Sequence, residues 1–479
     1  MPVRPELVEG PAGTSASAEQ AAPPNILIIF SDEHDGALLG AAGHPQVRTP
    51  HLDRLAVSPG GTLFERAYCA GPVCVPSRLS LLTGKYPHQV GGWDNGATLD
   101  SAIRTWGHYL RAAGYETTII GRTHFNGADR LHGFDRRELD DLPFWLSTAG
   151  AGPARAPETR RRRPHVAGVS VSEDEPDPLA RRHDTYDAEV AERAVRFLSE
   201  REDRSEPWLL YCGMIHPHFP LTAPRDVLAE YDPAAVTLPP TWDEPPERQH
   251  PVVRQLRHAL GNDVPLTEEQ VRRAIAAYWA LVTLVDRRIG VILDALEASP
   301  LRGKTAVLYT SDHGDMAGHH GMWQKHCFYE PSVRVPLLLR LPPGLSCALP
   351  PRVRENVSLV DVLPTLLDLA GMPVPSDLPG YSLLSPQSDR VVFSEMHEGM
   401  LDAGFMVKRG PYKYVHYLGG PPQLFDTHAD PLEVQDLAAD PAHAALRAGL
   451  ESALRRIADP ETVDAAAKAD QGARRSTAA

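Results

Sequence analysis

A cysteine begins a short motif whose residue types could carry nucleophilic chemistry. Residues 74–78 read Cys-Val-Pro-Ser-Arg, and a mainly apolar run follows them as far as Gly84. Proline is tolerated in a first helical turn because its missing N–H is not needed there. The pattern predicts a helix that begins at Cys74, whose N-terminus favours an anion, with Arg78 one turn further on. A buried structural cysteine that caps a helix is the alternative interpretation.

Polar side chains follow four apolar segments that resemble buried strands. Residues 25–30 precede Asp32, and residues 305–310 precede Asp312 and His313. Residues 115–120 precede Arg122 and His124, and residues 208–212 precede His218. Apolar runs without alternation are typical of strands buried on both faces of a parallel sheet, and open α/β sheets bind ligands at the carboxyl ends of such strands. The alternative for the Asp-His-Gly-Asp segment at 312–315 is a loop of turn-forming residues.

The remaining elements predict an α/β protein in which a mainly parallel sheet carries helices on both faces. Helical spacing covers residues 99–114, 186–200, 271–296 and 363–370. From residue 371 the pattern changes to short strands at 391–395, 405–408, 412–417 and 423–426, and then to an Ala-rich helical tail from residue 438. We therefore predict a disordered leader over 1–23, a catalytic domain over 24–370 and a small C-terminal α+β subdomain over 371–479. Residues 150–183 carry a basic run and an acidic run and predict an exposed insertion.

Composition excludes several classes of protein. The 479 residues include 48 Lys and Arg against 62 Asp and Glu, a net charge of −14, which argues against a nucleic-acid partner. The five cysteines are odd in number and form no Cys-x-x-Cys pair, so a disulfide framework and a cysteine zinc site are disfavoured. The chain has no apolar run of about 18 residues and no signal-peptide pattern at its start. We expect a cytoplasmic enzyme without a membrane partner.

The motif at 74–78 resembles the sulfatase signature, in which the cysteine is converted after synthesis to formylglycine. The resemblance spans residues 24–437 and includes Asp32 after the first strand, Thr-Pro-His-Leu-Asp at 49–53 and Ser-Asp-His-Gly-Asp at 311–315. Short strings at 92–95, 121–125, 131–134 and 421–426 resemble choline sulfatase-like members of the family. The resemblance implies the fold shared by alkaline phosphatases and sulfatases. It also implies hydrolysis of a small sulfate monoester to an alcohol and inorganic sulfate.

The resemblance implies one divalent cation held by Asp32, the modified Cys74, Asp312 and His313. Carboxylates with few soft ligands indicate a hard ion, with Ca²⁺ as our first expectation and Mg²⁺ or Mn²⁺ as alternatives. Such an ion polarises the ester oxygen and favours the alkoxide form of the nucleophile. Many sulfatases carry a second aspartate after the first strand, where this chain has Glu33, so the role of Glu33 stays open. Conversion of Cys74 implies a formylglycine-generating enzyme as a partner.

Cationic and imidazole side chains are the expected ligands of the sulfate group. By resemblance His124 takes a proton from the second hydroxyl of the formylglycine sulfate ester, which expels sulfate, and an imidazole suits this step because its ordinary pKa is near neutrality. His218 and Lys325 bind sulfate oxygens or protonate the leaving alcohol, and Arg78 adds positive charge. Arg122 stands where the family usually has lysine, and its planar guanidinium changes the geometry of sulfate binding.

The organic part of the substrate is not determined by these motifs. Asn95 and Trp145 are candidates for binding it, because an aromatic face can hold a quaternary ammonium group, although Trp145 could equally be a core residue. Choline, aryl and sugar sulfates all remain open as substrates. A phosphonate monoester or phosphodiester hydrolase of the same superfamily is a first alternative, and an inactive anion-binding relative is a second. The oligomeric state is open, a homo-oligomer included.

Overall fold

The computed structural model describes residues 22–142, 178–345, 349–398 and 402–478. Most of the predicted leader, most of the predicted insertion, Trp145 and Cys347 lie outside these ranges. The described cysteines, Cys69, Cys74, Cys212 and Cys327, are free and buried. Among the described residues, no helix combines the length and the apolar character that crossing a membrane requires.

A nine-stranded mixed sheet carries the site. Five neighbouring strands, in the order β4-β3-β5-β1-β6, run parallel, and β8, β2, β7 and β9 extend the sheet beyond β6. This confirms the predicted mainly parallel sheet. The strands are β1 (Asn25–Asp32), β2 (Gly61–Tyr68), β3 (Glu116–Gly121), β4 (Arg136–Leu139), β5 (Trp208–Pro217), β6 (Thr305–Ser311), β7 (Arg334–Val335), β8 (Leu337–Arg340) and β9 (Arg352–Ser358).

Helices cover both faces of this sheet, as the apolar runs predict. Ile26, Ile28 and Phe30 of β1 belong to the core on one face, and Leu27 and Ile29 belong to the core on the other. The helices are α1 (Pro50–Val57), α2 (Cys74–Thr83), α3 (Pro87–Val90), α4 (Trp106–Ala112), α5 (Pro178–Ser199), α6 (Arg225–Leu228), α7 (Pro251–Leu260), α8 (Glu268–Ala298), α9 (Glu330–Val333), α10 (Val362–Leu369), α11 (Ala444–Ile457) and α12 (Pro460–Ala478).

Two predicted helix boundaries are wrong. The helix expected over 99–114 forms only as α4, because Asp100 accepts a hydrogen bond from the Ala102 backbone N–H in a turn and Thr105 then forms the N-terminal cap with His108. The helix expected from residue 186 begins earlier, at Pro178. Because of this earlier start, the last residues of the predicted insertion belong to α5.

A four-stranded antiparallel sheet follows in the C-terminal part, as predicted. Its order is β10-β11-β12-β13, with β10 at Val391–Met396, β11 at Gly404–Arg409, β12 at Tyr412–Tyr417 and β13 at Gln423–Asp426. The apolar core on one face of the large sheet also includes Met406 and Val415 of this small sheet. The domain boundary at residue 370 therefore stays a prediction.

Glu395 on β10 connects the small sheet to the segments that flank the Cys74 motif. Its backbone N–H donates to the Ala70 carbonyl at 3.0 Å, and its buried carboxylate contacts His88 Nδ1 at 2.8 Å and His397 Nε2 at 3.0 Å. Burial by itself would raise the pKa of Glu395, but the adjacent His88 and His397 lower it from 4.5 to about 2. The folded chain therefore favours the ionised carboxylate.

We expect Glu395→Gln to lower the free energy of unfolding by about 3 kcal/mol near neutral pH. Because the pKa of Glu395 is lower in the folded chain, its stabilisation is complete above about pH 4.5 and is lost as the pH falls toward about 2. Urea unfolding of both proteins at several pH values between about 7 and 3 measures this. A wild-type-to-variant difference that stays constant over that range contradicts the assignment.

Candidate active site

Helix α2 places Cys74 beside the carboxyl ends of the parallel strands. The helix begins at Cys74 after an extended Val73, ends at Gly84 with a φ of 66°, and is buried along its whole length. The predicted start and end of this helix are therefore confirmed. The Ser77 hydroxyl donates to the Asp312 carbonyl oxygen at 2.5 Å, which joins α2 directly to the loop after β6.

Cys74, Asp32, Asp312 and His313 come together as the sequence predicts. Each offers one ligand atom, and these atoms all lie within 4.8 Å of one another. His313 Nε2 is 3.3 Å from Cys74 Sγ, and the other ring nitrogen, Nδ1, lies 3.0 Å from the Gly314 carbonyl, which fixes the orientation of the ring. β1 pairs with β6 in parallel, Ser31 opposite Ser311, so Asp32 at the end of β1 and Asp312 directly after β6 lie side by side.

Two buried carboxylates, one imidazole and the side chain of residue 74 form a donor set that fits a divalent cation. Asp32 and Asp312 each direct Oδ2 toward Arg78, at 3.0 Å and 2.8 Å. Their Oδ1 atoms face the group instead, at 3.9 Å and 3.6 Å from His313 Nε2. Each carboxylate therefore has one oxygen bonded to Arg78 and one that faces His313. Asp312 Oδ1 also accepts the backbone N–H groups of Glu33 at 3.0 Å and His313 at 2.9 Å.

Electrostatics keep Asp32 ionised although it is completely buried. Burial would raise its pKa, but the positive charges of Arg122, Arg78 and Lys325 together hold the pKa of Asp32 well below its usual range. Arg122 Nε donates to Asp32 Oδ2 at 2.6 Å. A carboxylate that stays ionised at neutral pH is the form that can ligate a metal.

Arg78 and Arg122, predicted to provide charge for an anionic substrate, make their shortest contacts with carboxylates. Arg78 bridges Asp32 and Asp312, and Arg122 pairs with Asp32. The sequence could not show this, because both arginines and both aspartates are far apart in the chain. Arg122 Nη2 also lies 3.2 Å from His124 Nδ1, so this guanidinium connects the carboxylate cluster to the predicted proton acceptor.

His124 is buried and held in a left-handed backbone conformation with a φ of 60°. Its backbone N–H donates to Asp141 Oδ1 at 3.1 Å, which supports this conformation. Burial, with the positive charges of Arg122 and Arg78, lowers the pKa of His124 well below 6.5. The ring is therefore neutral at physiological pH, and a neutral imidazole can accept a proton. Asp141 was missed by the sequence reasoning, and nothing in its local sequence marks it.

Lys325, His218 and Glu33 form a second cluster beside Asp32. Lys325 Nζ lies 3.0 Å from Glu33 Oε2 and 3.2 Å from His218 Nε2. Burial and Lys325 lower the pKa of His218, whereas nearby acidic groups outweigh burial and raise the pKa of Lys325. Burial also raises the pKa of Glu33. The sequence left the role of Glu33 open, and the structure places its carboxyl group against Lys325.

Asn95 contacts the first turn of helix α2. Its Oδ1 accepts a hydrogen bond from the Val75 backbone N–H at 2.9 Å, and its carbonyl oxygen accepts one from Asn126 Nδ2 at 2.8 Å. Asn95 is predicted to contact the substrate, and the structure shows that its side-chain oxygen also fixes the first turn of α2. Asn126 was missed, although it follows the predicted site residue His124 by only two positions. Trp145 lies outside the described residues.

Other histidines near the motifs have different partners. His216 Nδ1 lies 2.7 Å from Asp187 Oδ2, which places its ring against α5. His320 contacts Glu244, and His326 Nε2 lies 2.5 Å from Glu398 Oε2. His216 and His218 are only two positions apart in the sequence, and the structure shows that their side chains have different partners.

The sequence of the chain matches those of known sulfatases. The sequence profile of the sulfatase family matches residues 24–372, and the profile of the C-terminal part of N-sulphoglucosamine sulphohydrolase matches residues 318–459. The choline-sulfatase of Rhizobium meliloti (strain 1021) is 33% identical, with 94% of this chain and 90% of the relative covered. Arylsulfatase K of Bos taurus is 31% identical, with 90% of this chain and 81% of the relative covered.

A solved structure shares the fold. The phosphonate monoester hydrolase of Agrobacterium radiobacter superposes with a TM-score of 0.74 at 26% identity, covering 91% of this chain and 95% of that one. Together with the sequence matches, the mainly parallel sheet and its strand-end cluster define a sulfuric ester hydrolase. The chain belongs to the sulfatase family and resembles its choline sulfatase-like members.

Proposed function

We propose that the chain hydrolyses small sulfate monoesters. Its nucleophile is residue 74, converted to formylglycine, and it uses one divalent cation, for which Ca²⁺ is our first expectation. The proposal rests on the buried group of Asp32, Cys74, Asp312 and His313, whose ligand atoms lie within 4.8 Å of one another. Formylglycine supplies a hydroxyl nucleophile when its aldehyde is hydrated. A bound divalent cation polarises the ester oxygen and favours the ionised nucleophile.

The chain's own residues orient the reacting groups. His313 and the two aspartates surround residue 74, and Arg78 holds both aspartates in place by contacting their outer oxygens. The neutral His124 accepts a proton when sulfate is released from residue 74. Because Arg122 contacts both Asp32 and His124, it keeps this imidazole beside the cluster and also contributes positive charge.

Lys325 and His218 bind the sulfate or serve the leaving group. Lys325 Nζ lies 3.0 Å from Glu33 Oε2, and its pKa is raised, so it stays charged. His218 Nδ1 lies 2.8 Å from the Phe219 carbonyl oxygen, which directs Nε2 toward Lys325. A charged amine beside an imidazole can stabilise the developing negative charge on an ester oxygen. Both residues are therefore assigned to the sulfate ester.

Phosphonate monoester or phosphodiester hydrolysis is the second candidate function. It is favoured by the structural match to the phosphonate monoester hydrolase of Agrobacterium radiobacter, with a TM-score of 0.74. Sulfate and phosphate esters share a tetrahedral centre, so the same cluster could act on both. The choline-sulfatase and arylsulfatase K relatives favour a sulfate ester.

We expect the purified protein, coproduced with a formylglycine-generating enzyme, to release inorganic sulfate from a small sulfate monoester. Choline sulfate, an aryl sulfate and a sugar sulfate are compared by sulfate release, with an aryl phosphodiester and an aryl phosphonate as paired substrates. We expect kcat/KM for the best sulfate ester to exceed that for the diester and the phosphonate by about 10²-fold or more. A preference of that size for the diester or the phosphonate supports the second function instead.

A further inference from the structure

The C-terminal helix α12 (Pro460–Ala478) contacts a loop beside the nucleophile helix. Arg474 forms a two-pronged ion pair with Asp94, with Nη1 2.9 Å from Oδ1 and Nη2 2.8 Å from Oδ2. Gln471 Nε2 donates to the same carboxylate at 2.9 Å. Asp94 is buried, with 5% of its surface exposed, so its charge depends on these two partners from α12.

Asp94 shapes the turn that carries Asn95. Its Oδ1 accepts the Gly96 backbone N–H at 2.8 Å, and its carbonyl oxygen accepts the Ala97 N–H at 3.0 Å. Asn95 in turn accepts the Val75 N–H. The first N–H groups of a helix have no acceptor within the helix, so an outside acceptor fixes the first turn. The contacts therefore run from α12 through Asp94 and Asn95 to the residue directly after Cys74.

The same helix also contacts a second strand-end segment. Gln471 Nε2 donates to the His397 carbonyl at 2.8 Å. The next residue, Glu398, pairs with His326, and His326 directly follows Lys325. Gln471 is thus bonded on one side to the turn that supports Cys74 and on the other to the segment that adjoins Lys325.

We propose that Arg474 is a positioning residue for the reaction, which sets the first turn of the nucleophile helix through Asp94 and Asn95. This inference rests on the proposed role of residue 74 as the nucleophile. Arg474 does not contact the Asp32, Cys74, Asp312 and His313 group, so it acts only through the intervening turn. A displacement of a reacting group by about 1 Å can cost roughly 10²-fold in rate.

We expect Arg474→Ala to lower kcat roughly 10-fold to 100-fold, while KM changes less than about twofold, because the altered position affects the chemical step. Arg474→Lys should recover part of the loss, since lysine keeps the charge but not the paired geometry. The matched control is Arg455→Ala on α11, which removes an exposed arginine paired with Glu461 of α12 at 2.9 Å and should leave kcat unchanged. Thermal midpoints and the aldehyde content at position 74 are measured for each protein.

A double-mutant cycle and hydrogen exchange complete the test. If Arg474 acts through Asp94, Asp94→Ala combined with Arg474→Ala should be no slower than Asp94→Ala alone. Arg474→Ala should also accelerate deuterium uptake in peptides that cover 93–97 and 74–78, whereas Arg455→Ala should not.

Unchanged uptake or additive effects of the two substitutions would overturn the positioning role. Because uptake requires no substrate, a failure of the proposed sulfatase activity is distinguishable from a failure of this inference. Wild-type sulfate release with an unaltered kcat in Arg474→Ala would reject only the positioning role.

Discussion

Cys74→Ala is expected to lower sulfatase kcat by about 10⁴-fold or more, because it removes the atom from which the nucleophile is made. The wild-type protein made with a converting enzyme should show an aldehyde at residue 74 by peptide mass spectrometry. The fold should survive the substitution, since alanine is compatible with a helix start and only one buried sulfur is lost. Activity and the thermal midpoint are therefore measured on the same samples.

Cys212→Ala is the matched control for the loss of a buried thiol. Cys212 lies on β5, is completely buried and belongs to the apolar core on the other face of the sheet from Val75 and Leu79 of α2. We expect it to lower stability by about 1 kcal/mol and to leave kcat within about twofold. Activity of Cys74→Ala close to that of Cys212→Ala, or an unmodified thiol in a fully active wild-type protein, would refute the nucleophile assignment.

Asp312→Asn is expected to abolish stoichiometric divalent metal and to lower kcat/KM by about 10³-fold or more. The substitution removes one of the two carboxylate charges of the cluster. It also removes the ionised partner of Arg78 Nε, 2.8 Å away, so a cost of a few kcal/mol in folding stability is expected as well. Metal content by mass spectrometry, sulfate release and urea unfolding separate the two effects.

Asp286→Asn is the control for the loss of a buried carboxylate. Asp286 on α8 is buried and accepts the backbone N–H groups of His51 and Leu52 at 3.1 Å and 2.8 Å, at the start of α1. We expect it to reduce stability while metal content and kcat stay unchanged. Calcium added to wild-type protein after chelation should restore activity, and the same addition should not restore Asp312→Asn. A metal-replete and active Asp312→Asn enzyme would remove Asp312 from the ligand set.

The strand-end residues were predictable because parallel strands bring their carboxyl ends to one edge of a sheet. Asp32, Asp312 and His313 come at the ends of buried apolar strands, so the pattern places them at one edge of the sheet, and the resemblance to sulfatases implied that Cys74 joins them. His218 and Lys325 were identified partly by resemblance, and they do lie together beside Asp32. Residues that support these groups from other loops, such as Asp141 and Asn126, carry no such pattern.

The order of residues along the chain does not show where a helix is capped or which buried charges form ion pairs. The apolar spacing over 99–114 is helical, yet Thr105 caps a shorter helix, because a side-chain acceptor competes with helix continuation. Arg122 is predicted to bind sulfate, and the structure adds an ion pair with Asp32, 2.6 Å away, that the sequence did not show. A carboxylate that the fold buries needs a charged or hydrogen-bonding partner, and spacing along the chain does not show which cation becomes that partner.

The sequence by itself determined the α/β class, the helix that begins at Cys74, the candidate metal ligands at the strand ends and the membership of the sulfatase family. The fold class and the helix follow from local periodicity and residue types, whereas the ligand group and the family follow from the resemblance of the motifs at Asp32, 74–78 and 311–315 to those of sulfatases. Only the tertiary structure decided that Arg78 bridges both aspartates, that Glu33 faces Lys325, and that Arg474 of α12 pairs with Asp94 in the turn beside α2. Arg474 and Asp94 are 380 positions apart. Only chain folding can bring two such groups into contact, and burial then makes their pairing energetically necessary.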